Sequence, residues 1–281
     1  MNIDMKHILF FILIISVISC VSPETDLPKS TGDSSVSDPV VENAGIFFEK
    51  NGIRVYEAVV EETFADAKIK LNSPLSPQTG KNIFEFSVEN YELGSQTADA
   101  TTRNCANSAK GQHIHYIMNN APYKAYYEAS FEEDVPEGTN VLLAFLSRSY
   151  HESIKTMDAH VLVKYGSGGQ DLSEPLLFYS RPKGTYAGED GKKLLLDFYL
   201  RNIDLSKTGY KVRATINGIE FILPKWCPYF VEGLPSGEHT FSIELLDMNG
   251  DPVKNSMNEA GEKIVGIYSN SGERLVNTTE G

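Results

Sequence analysis

The chain repeats itself. KNIFEFSVENYEL (Lys81 to Leu93) aligns with KLLLDFYLRNIDL (Lys193 to Leu205), so that Lys81/Lys193, Phe86/Phe198, Asn90/Asn202 and Leu93/Leu205 coincide. HIHYIMNN (His113 to Asn120) aligns with KVRATING (Lys211 to Gly218), and Asn119 falls on Asn217. FEEDVPEGTNVLLAFL (Phe131 to Leu146) aligns with FVEGLPSGEHTFSIEL (Phe230 to Leu245), matching Phe131/Phe230, Glu133/Glu232, Pro136/Pro235, Gly138/Gly237 and Leu146/Leu245. The blocks keep their order and the length differences fall in loops. The largest difference is the longer Gly94 to Gln112 segment of the first copy. Such a pattern specifies two tandem units of one plan.

Each copy is a run of short alternating strands broken by Pro, Gly and Asn, without an amphipathic helix. In the first copy a strand ends near Leu71, before Ser73-Pro74. Further strands cover Ile83 to Val88, His113 to Met118, a stretch after Pro122, Asn140 to Leu146 and Ala159 to Tyr165. The second copy opens at Leu176 and ends near Ile264 to Tyr268. Seven or so strands in ~100 residues is the immunoglobulin-like plan, and a small barrel is the alternative that the pattern leaves open. The expected fold class is all-β, with two tandem immunoglobulin-like β-sandwiches. The first is expected over 46–166, led by a hairpin at Asn51-Gly52, the second over 170–270, with a tail at 271–281.

With 281 residues the chain has room for two domains. Its net charge of −13, without a Lys/Arg cluster, argues against nucleic acid as a partner. Before the repeats, Lys6 gives a weakly basic start, and His7 to Ile18 form an almost wholly apolar run. That run is too short for a bilayer, which needs ~20 residues, and it ends in Val17-Ile18-Ser19-Cys20. These four residues resemble the lipobox of bacterial lipoproteins. The resemblance implies a signal peptide over 1–19, acylation of Cys20 and attachment to a membrane through the lipid. Residues 20–45 are rich in Ser, Pro, Asp and Thr and lack periodicity, so a disordered tether is expected. With Cys20 acylated, only Cys105 and Cys227 remain, which is no disulfide framework.

Together with GQHIHYIMNNAPY (Gly111 to Tyr123) and PEGTNVLLAFLSRSYHES (Pro136 to Ser153), these features resemble envelope lipoproteins of Bacteroidetes-type bacteria. The chain also looks like extracellular β-sandwich domains with His-x-His on a central strand. The resemblance implies a cell-envelope location, expected at the outer membrane, and no catalytic activity. It transfers no functional residue.

Parity singles out one constellation. Phe241, Ile243 and Leu245 alternate with polar residues and face the core, so Leu142, Ala144 and Leu146 do the same in the first copy. Val212, Ala214 and Ile216 likewise place Ile114, Tyr116 and Met118 inward. His113 and His115 then lie on the opposite face, and His151 follows if its strand continues that far. Neighbouring antiparallel strands bring all three to one corner. Arg148, Tyr150 and Glu152 are the adjacent candidate ligand-binding residues, and a loop with Arg103 and Cys105 emerges nearby. Imidazoles so placed suit zinc or copper, but surface histidines bonded to loops or packed under a neighbouring domain would look the same. The equivalent second-copy residues are Lys211, Arg213 and Gly250, so the fold does not require the histidines.

Val141, Leu143 and Phe145 form an outward apolar row where the second copy has Thr240, Ser242 and Glu244. Something is expected to cover it: the second copy, the 46–60 hairpin or another protein. No Gly-x-Ser-x-Gly elbow, His-Glu-x-x-His helix or Walker loop occurs. The expected function is therefore a non-catalytic binding or scaffold module, with an envelope protein or small ligand as partner. The alternative is a periplasmic zinc- or copper-binding protein.

Overall fold

The computed structural model describes residues 45–59, 64–255, 257–258 and 261–269. The expected signal segment, Cys20, all of the tether except Gly45, and the tail lie outside the described residues. The first elements are β1 (Phe47–Lys50) and β2 (Ile53–Glu57). Asn51 and Gly52 join them with φ of 50° and 80°, the backbone that an Asn-Gly hairpin turn needs.

The first sandwich follows with β3 (Lys68–Ser73), β4 (Gly80–Glu89), a helical turn α1 (Ala100–Arg103), β5 (His113–Met118), β6 (Lys124–Tyr126), β7 (Ser130–Val135), β8 (Asn140–Ser147) and β9 (His160–Tyr165). Its sheets are ordered β3-β4-β7 and β6-β5-β8-β9. Phe84, Phe86, Ile114, Tyr116, Leu142, Ala144 and Leu146 fill the space between them, as the alternation requires.

The second sandwich has β10 (Leu176–Arg181), β11 (Gly184–Ala187), β12 (Lys193–Arg201), β13 (Lys211–Ile216), β14 (Ile219–Leu223), β15 (Tyr229–Glu232), β16 (Gly237–Leu246) and β17 (Lys263–Tyr268). Strand β12 lies between β10 and β15, as β4 lies between β3 and β7. The repeat is therefore a repeat of topology, and both copies are immunoglobulin-like.

Shared residues hold equivalent joints. Asn119 and Asn217 both adopt positive φ, and each accepts through Oδ1 a backbone N–H from the first half of a long strand, from Val141 of β8 at 2.8 Å and from Thr240 of β16 at 3.0 Å. Asn140 donates to the Pro136 carbonyl, while His239 meets the Pro235 carbonyl, both at 2.8 Å. Different side chains thus fasten one conserved turn geometry.

The hairpin does not lead the first sandwich. Strand β2 pairs with β15, Val55 opposite Val231, and extends the second sandwich's sheet to β1-β2-β15-β12-β10. The expected boundary at residue 46 is corrected accordingly. Phe48, Ile53 and Val55 alternate into the second core, and Arg54 pairs with Glu232 at 2.6 Å.

The second sandwich also covers the apolar row. Val141, Leu143 and Phe145 join Ile117 and Tyr123 against Leu176, Phe178, Tyr199 and Met257. Phe145 stacks on Tyr199 with ring centroids 4.8 Å apart. Strand β12 is therefore buried on both faces. Leu194, Leu196 and Phe198 enter its own core, while Leu195 and Tyr199 meet the first sandwich. That accounts for its nearly unbroken apolar run.

Candidate metal centre between the sandwiches

Strand β5 lies against β8 with His113 opposite Ser147 and His115 opposite Phe145. This register puts both imidazoles on the face that the second sandwich covers, and both are fully buried. They face away from their own core, as parity requires, and lie packed under the neighbouring sandwich rather than in solvent.

His151 arrives by another route. Strand β8 ends at Ser147, and a turn follows in which the Arg148 N–H donates to the Glu152 carbonyl and the His151 N–H to the Arg148 carbonyl, both at 2.9 Å. His151 has φ of 70°, left-handed for a residue that carries a Cβ. A turn, rather than a continued strand, swings its ring back over β5.

The rings converge. His113 Nε2 lies 2.9 Å from His115 Nε2 and 3.0 Å from His151 Nδ1. One nitrogen from each ring can be chosen with all of them within 4.8 Å of one another. His113 Nδ1 lies 2.8 Å from the Gly111 carbonyl, which can only accept, so Nδ1 carries the proton and Nε2 offers its lone pair. His115 Nδ1 is 3.3 Å from Ser180 Oγ, on β10 of the second sandwich. Two rings thus have partners on the nitrogen turned away from the centre, the arrangement that orients metal-binding histidines.

The surroundings are aromatic. Tyr123 stacks on His115 at 3.7 Å between centroids, Phe145 lies 5.1 Å from the same ring, and Tyr127 is 5.0 Å from His113. Burial holds His113 down to about 4 and holds His115 and His151 well below the ordinary imidazole range. Neighbouring Arg181 pushes all three the same way. All three are neutral at pH 7, the form that binds metals.

A tetrahedral ion with nitrogens at ~2.0–2.1 Å needs them roughly 3.3 Å apart. The short contacts must open by a few tenths of an ångström and the longest pair must close. From a separation of up to 4.8 Å, the longest pair would close by about 1.5 Å through ring rotation about side-chain torsions.

The other candidate ligand residues are engaged elsewhere. Arg148 Nε donates to Glu152 at 3.0 Å, and its guanidinium lies over Phe64. Tyr150 donates to Asp99 at 3.4 Å beneath Arg103, among Ala58, Ala100, Cys105, Leu195 and Phe230. They have the opposite parity to Ser147, Ser149 and His151 and serve to anchor the turn and the 94–112 loop. Ser149 exchanges hydrogen bonds with Thr97, and its described partners do not include His151. Burial pushes the Cys105 thiol up to about 11, so it is not a ready nucleophile. Cys105 and Cys227 are both free.

Tyr123, Ser180, Arg181 and Lys183 complete the surroundings and were not reached from the sequence. The outward apolar row Val141, Leu143 and Phe145 was the sequence signal that a second layer lies over this face, and the unbroken apolar runs of β10 and β12 match it from the other side.

The fold and cluster define a two-sandwich protein with a tri-imidazole centre at the seam. No family model and no curated protein matches the chain. It is similar to the fibronectin(III)-like modules of CbhA from Clostridium thermocellum at 13% identity, over 72% of this chain and 94% of that one, with a TM-score of 0.24. It is similar to SGBP-B of the Bacteroides ovatus mixed-linkage glucan utilization locus at 11% identity, over 70% of this chain and 47% of that one, with a TM-score of 0.20. The two tandem V-type regions of VCBP3 match at 7% identity, over 72% and 99%, with a TM-score of 0.23. At these scores no argument passes from them, and the fold follows from the strand pairing.

Proposed function

We propose that this is a non-catalytic binding protein of the bacterial cell envelope, tethered through acylated Cys20, that holds one transition-metal ion on His113, His115 and His151. The convergence of three neutral imidazoles at a covered seam carries the reading. A purely packed seam is better served by apolar side chains, because each buried imidazole must find hydrogen-bond partners that an apolar side chain does not need. The second copy supports the same view. Arg213 and Glu244 hold the positions of His115 and Phe145 as a cross-strand ion pair, so the sandwich plan needs no imidazole there. The envelope assignment rests on the lipobox and the apolar run before it.

Zinc and copper titration of the purified full-length chain, beside the His113→Ala/His115→Ala variant, tests the reading. One equivalent bound by the parent and lost in the variant is expected. Equal weak binding by both proteins would leave a scaffold held on a tether.

A further inference from the structure

Resting on the metal-binding reading above, we propose that the three-histidine centre selects a monovalent ion, copper(I), over zinc(II), because among the described residues it has no anionic ligand and faces two cationic side chains without carboxylate partners.

The donor set is three uncharged nitrogens. Among the described residues no carboxylate or thiol joins them within ligand distance. Structural zinc sites commonly include thiolates, and three-ligand zinc sites recruit a fourth ligand. Copper(I), with half the charge of zinc(II), is satisfied by two or three neutral imidazoles alone. An ion held here keeps its full charge in a buried setting, where doubling that charge sharply raises the penalty.

The neighbours add to this. Tyr123 has His115 stacked on one face at 3.7 Å. Lys183 Nζ lies 4.4 Å from the centroid of the same ring, so it must use the other face, and Arg181 Cζ is 5.7 Å from it. Both cations therefore stand within roughly one Debye length of the His115 ring, with the Tyr123 ring rather than salt between. Lys183 donates to the Tyr123 carbonyl at 2.5 Å, and Arg181 donates to the Tyr186 hydroxyl at 2.9 Å. Arg181 is buried, and among the described residues its Nε has no partner. Lys124 is paired with Glu133 at 2.6 Å, and Lys110 lies over Tyr127, 5.3 Å from its ring centroid, on the His113 side. Repulsion between a bound ion and the Arg181 and Lys183 charges scales with the ion's charge, so it is twice as large for zinc(II) as for copper(I).

Charge scaling supplies the test. The full-length chain in detergent is titrated with zinc(II) against a chromogenic chelator. It is titrated with copper(I) under anaerobic reducing conditions against a copper(I) chelator, with silver(I) as an air-stable monovalent check. The parent is expected to bind copper(I) more tightly than zinc(II). Lys183→Met is expected to tighten both, zinc(II) by about the square of the copper(I) factor: roughly 25-fold where copper(I) gains fivefold. Lys183→Gln serves if the methionine variant does not fold, and the parent's own preference decides if neither folds. Equal factors for the two ions, or a parent that prefers zinc(II), would overturn the selectivity while leaving metal binding intact. If neither ion binds the parent better than His113→Ala/His115→Ala, the metal-binding reading itself fails.

Discussion

The carboxylate of Asp197, fully buried on β12, accepts a hydrogen bond from Lys155 Nζ across the seam between the sandwiches at 2.5 Å. It also accepts the Ser153 N–H at 2.9 Å. One side chain of the second copy thus grips the segment that follows His151. Removing it leaves a mostly buried ammonium and a backbone N–H without a partner. Asp197→Ala is expected to cost about 3–5 kcal/mol in urea unfolding. Adding Lys155→Met should recover much of that loss, and a double-mutant cycle without coupling would contradict the arrangement.

Phe145 is the central apolar contact of the seam. Phe145→Ala is expected to cost about 3–5 kcal/mol. Ile83→Ala, at a site 59% exposed, should stay within about 0.5 kcal/mol. Because both sandwiches share the β12 layer, the parent should unfold in one transition by intrinsic fluorescence and by circular dichroism. Two separated transitions would show that the seam does not couple them.

Gly111 has φ of 86°, and a Cβ there would lie 2.2 Å from the Gly94 carbonyl oxygen. Gly111→Ala must displace the loop base, and with it the carbonyl that fixes the His113 ring. A metal affinity reduced ~10–100-fold is expected. Unchanged affinity would mean that the ring is oriented by its stacking neighbours alone.

Acid is expected to weaken the metal-free fold early. Burial holds His113 and His160 down to about 4, and His115 and His151 also titrate well below their ordinary value. Unfolded, each takes its proton near ~6.5. Above that pH their contribution to stability is fully present, and it is lost as pH falls toward 4. Each adds a slope of up to ~1.4 kcal/mol per pH unit in that window. Glu152, raised by burial, works in the opposite sense and offsets part of the slope. Urea midpoints that do not fall between pH 7 and 5 would contradict this picture.

Cys20→Ala is expected to move the protein from the detergent phase to the aqueous phase and to abolish acyl labelling. A variant that partitions and labels like the parent would remove the lipid anchor from the account.

The two sandwiches were legible because side-chain alternation and the repeat constrain each other. A register placing Leu142 inward also places Leu143 outward, and the second copy settles which is which. His113 and His115 share a face for the same reason. His151 required a turn that no periodicity encodes. The faces of Arg148, Tyr150 and Glu152 followed from parity as well, yet proximity in sequence had grouped them with the histidines. The destination of the hairpin was not legible. Its pattern says that one face is buried, not which sheet edge it joins. Ser180, Arg181 and Lys183 meet the histidines only because the sandwiches dock, and docking leaves few marks in local sequence.

The pairing of β2 with β15 also sets an order of events. Arg54 and Glu232 are 178 residues apart, yet they close one sheet. A chain synthesised from its N-terminus delivers the hairpin long before its partner strand emerges. Until then Phe48, Ile53 and Val55 have no core to enter, and the hairpin edge is open to other strands. Closure of such a distant pair is slow. The second sandwich must therefore complete itself late, around a hairpin that has waited through the whole synthesis of the first, with its apolar face open to non-native contacts in that interval.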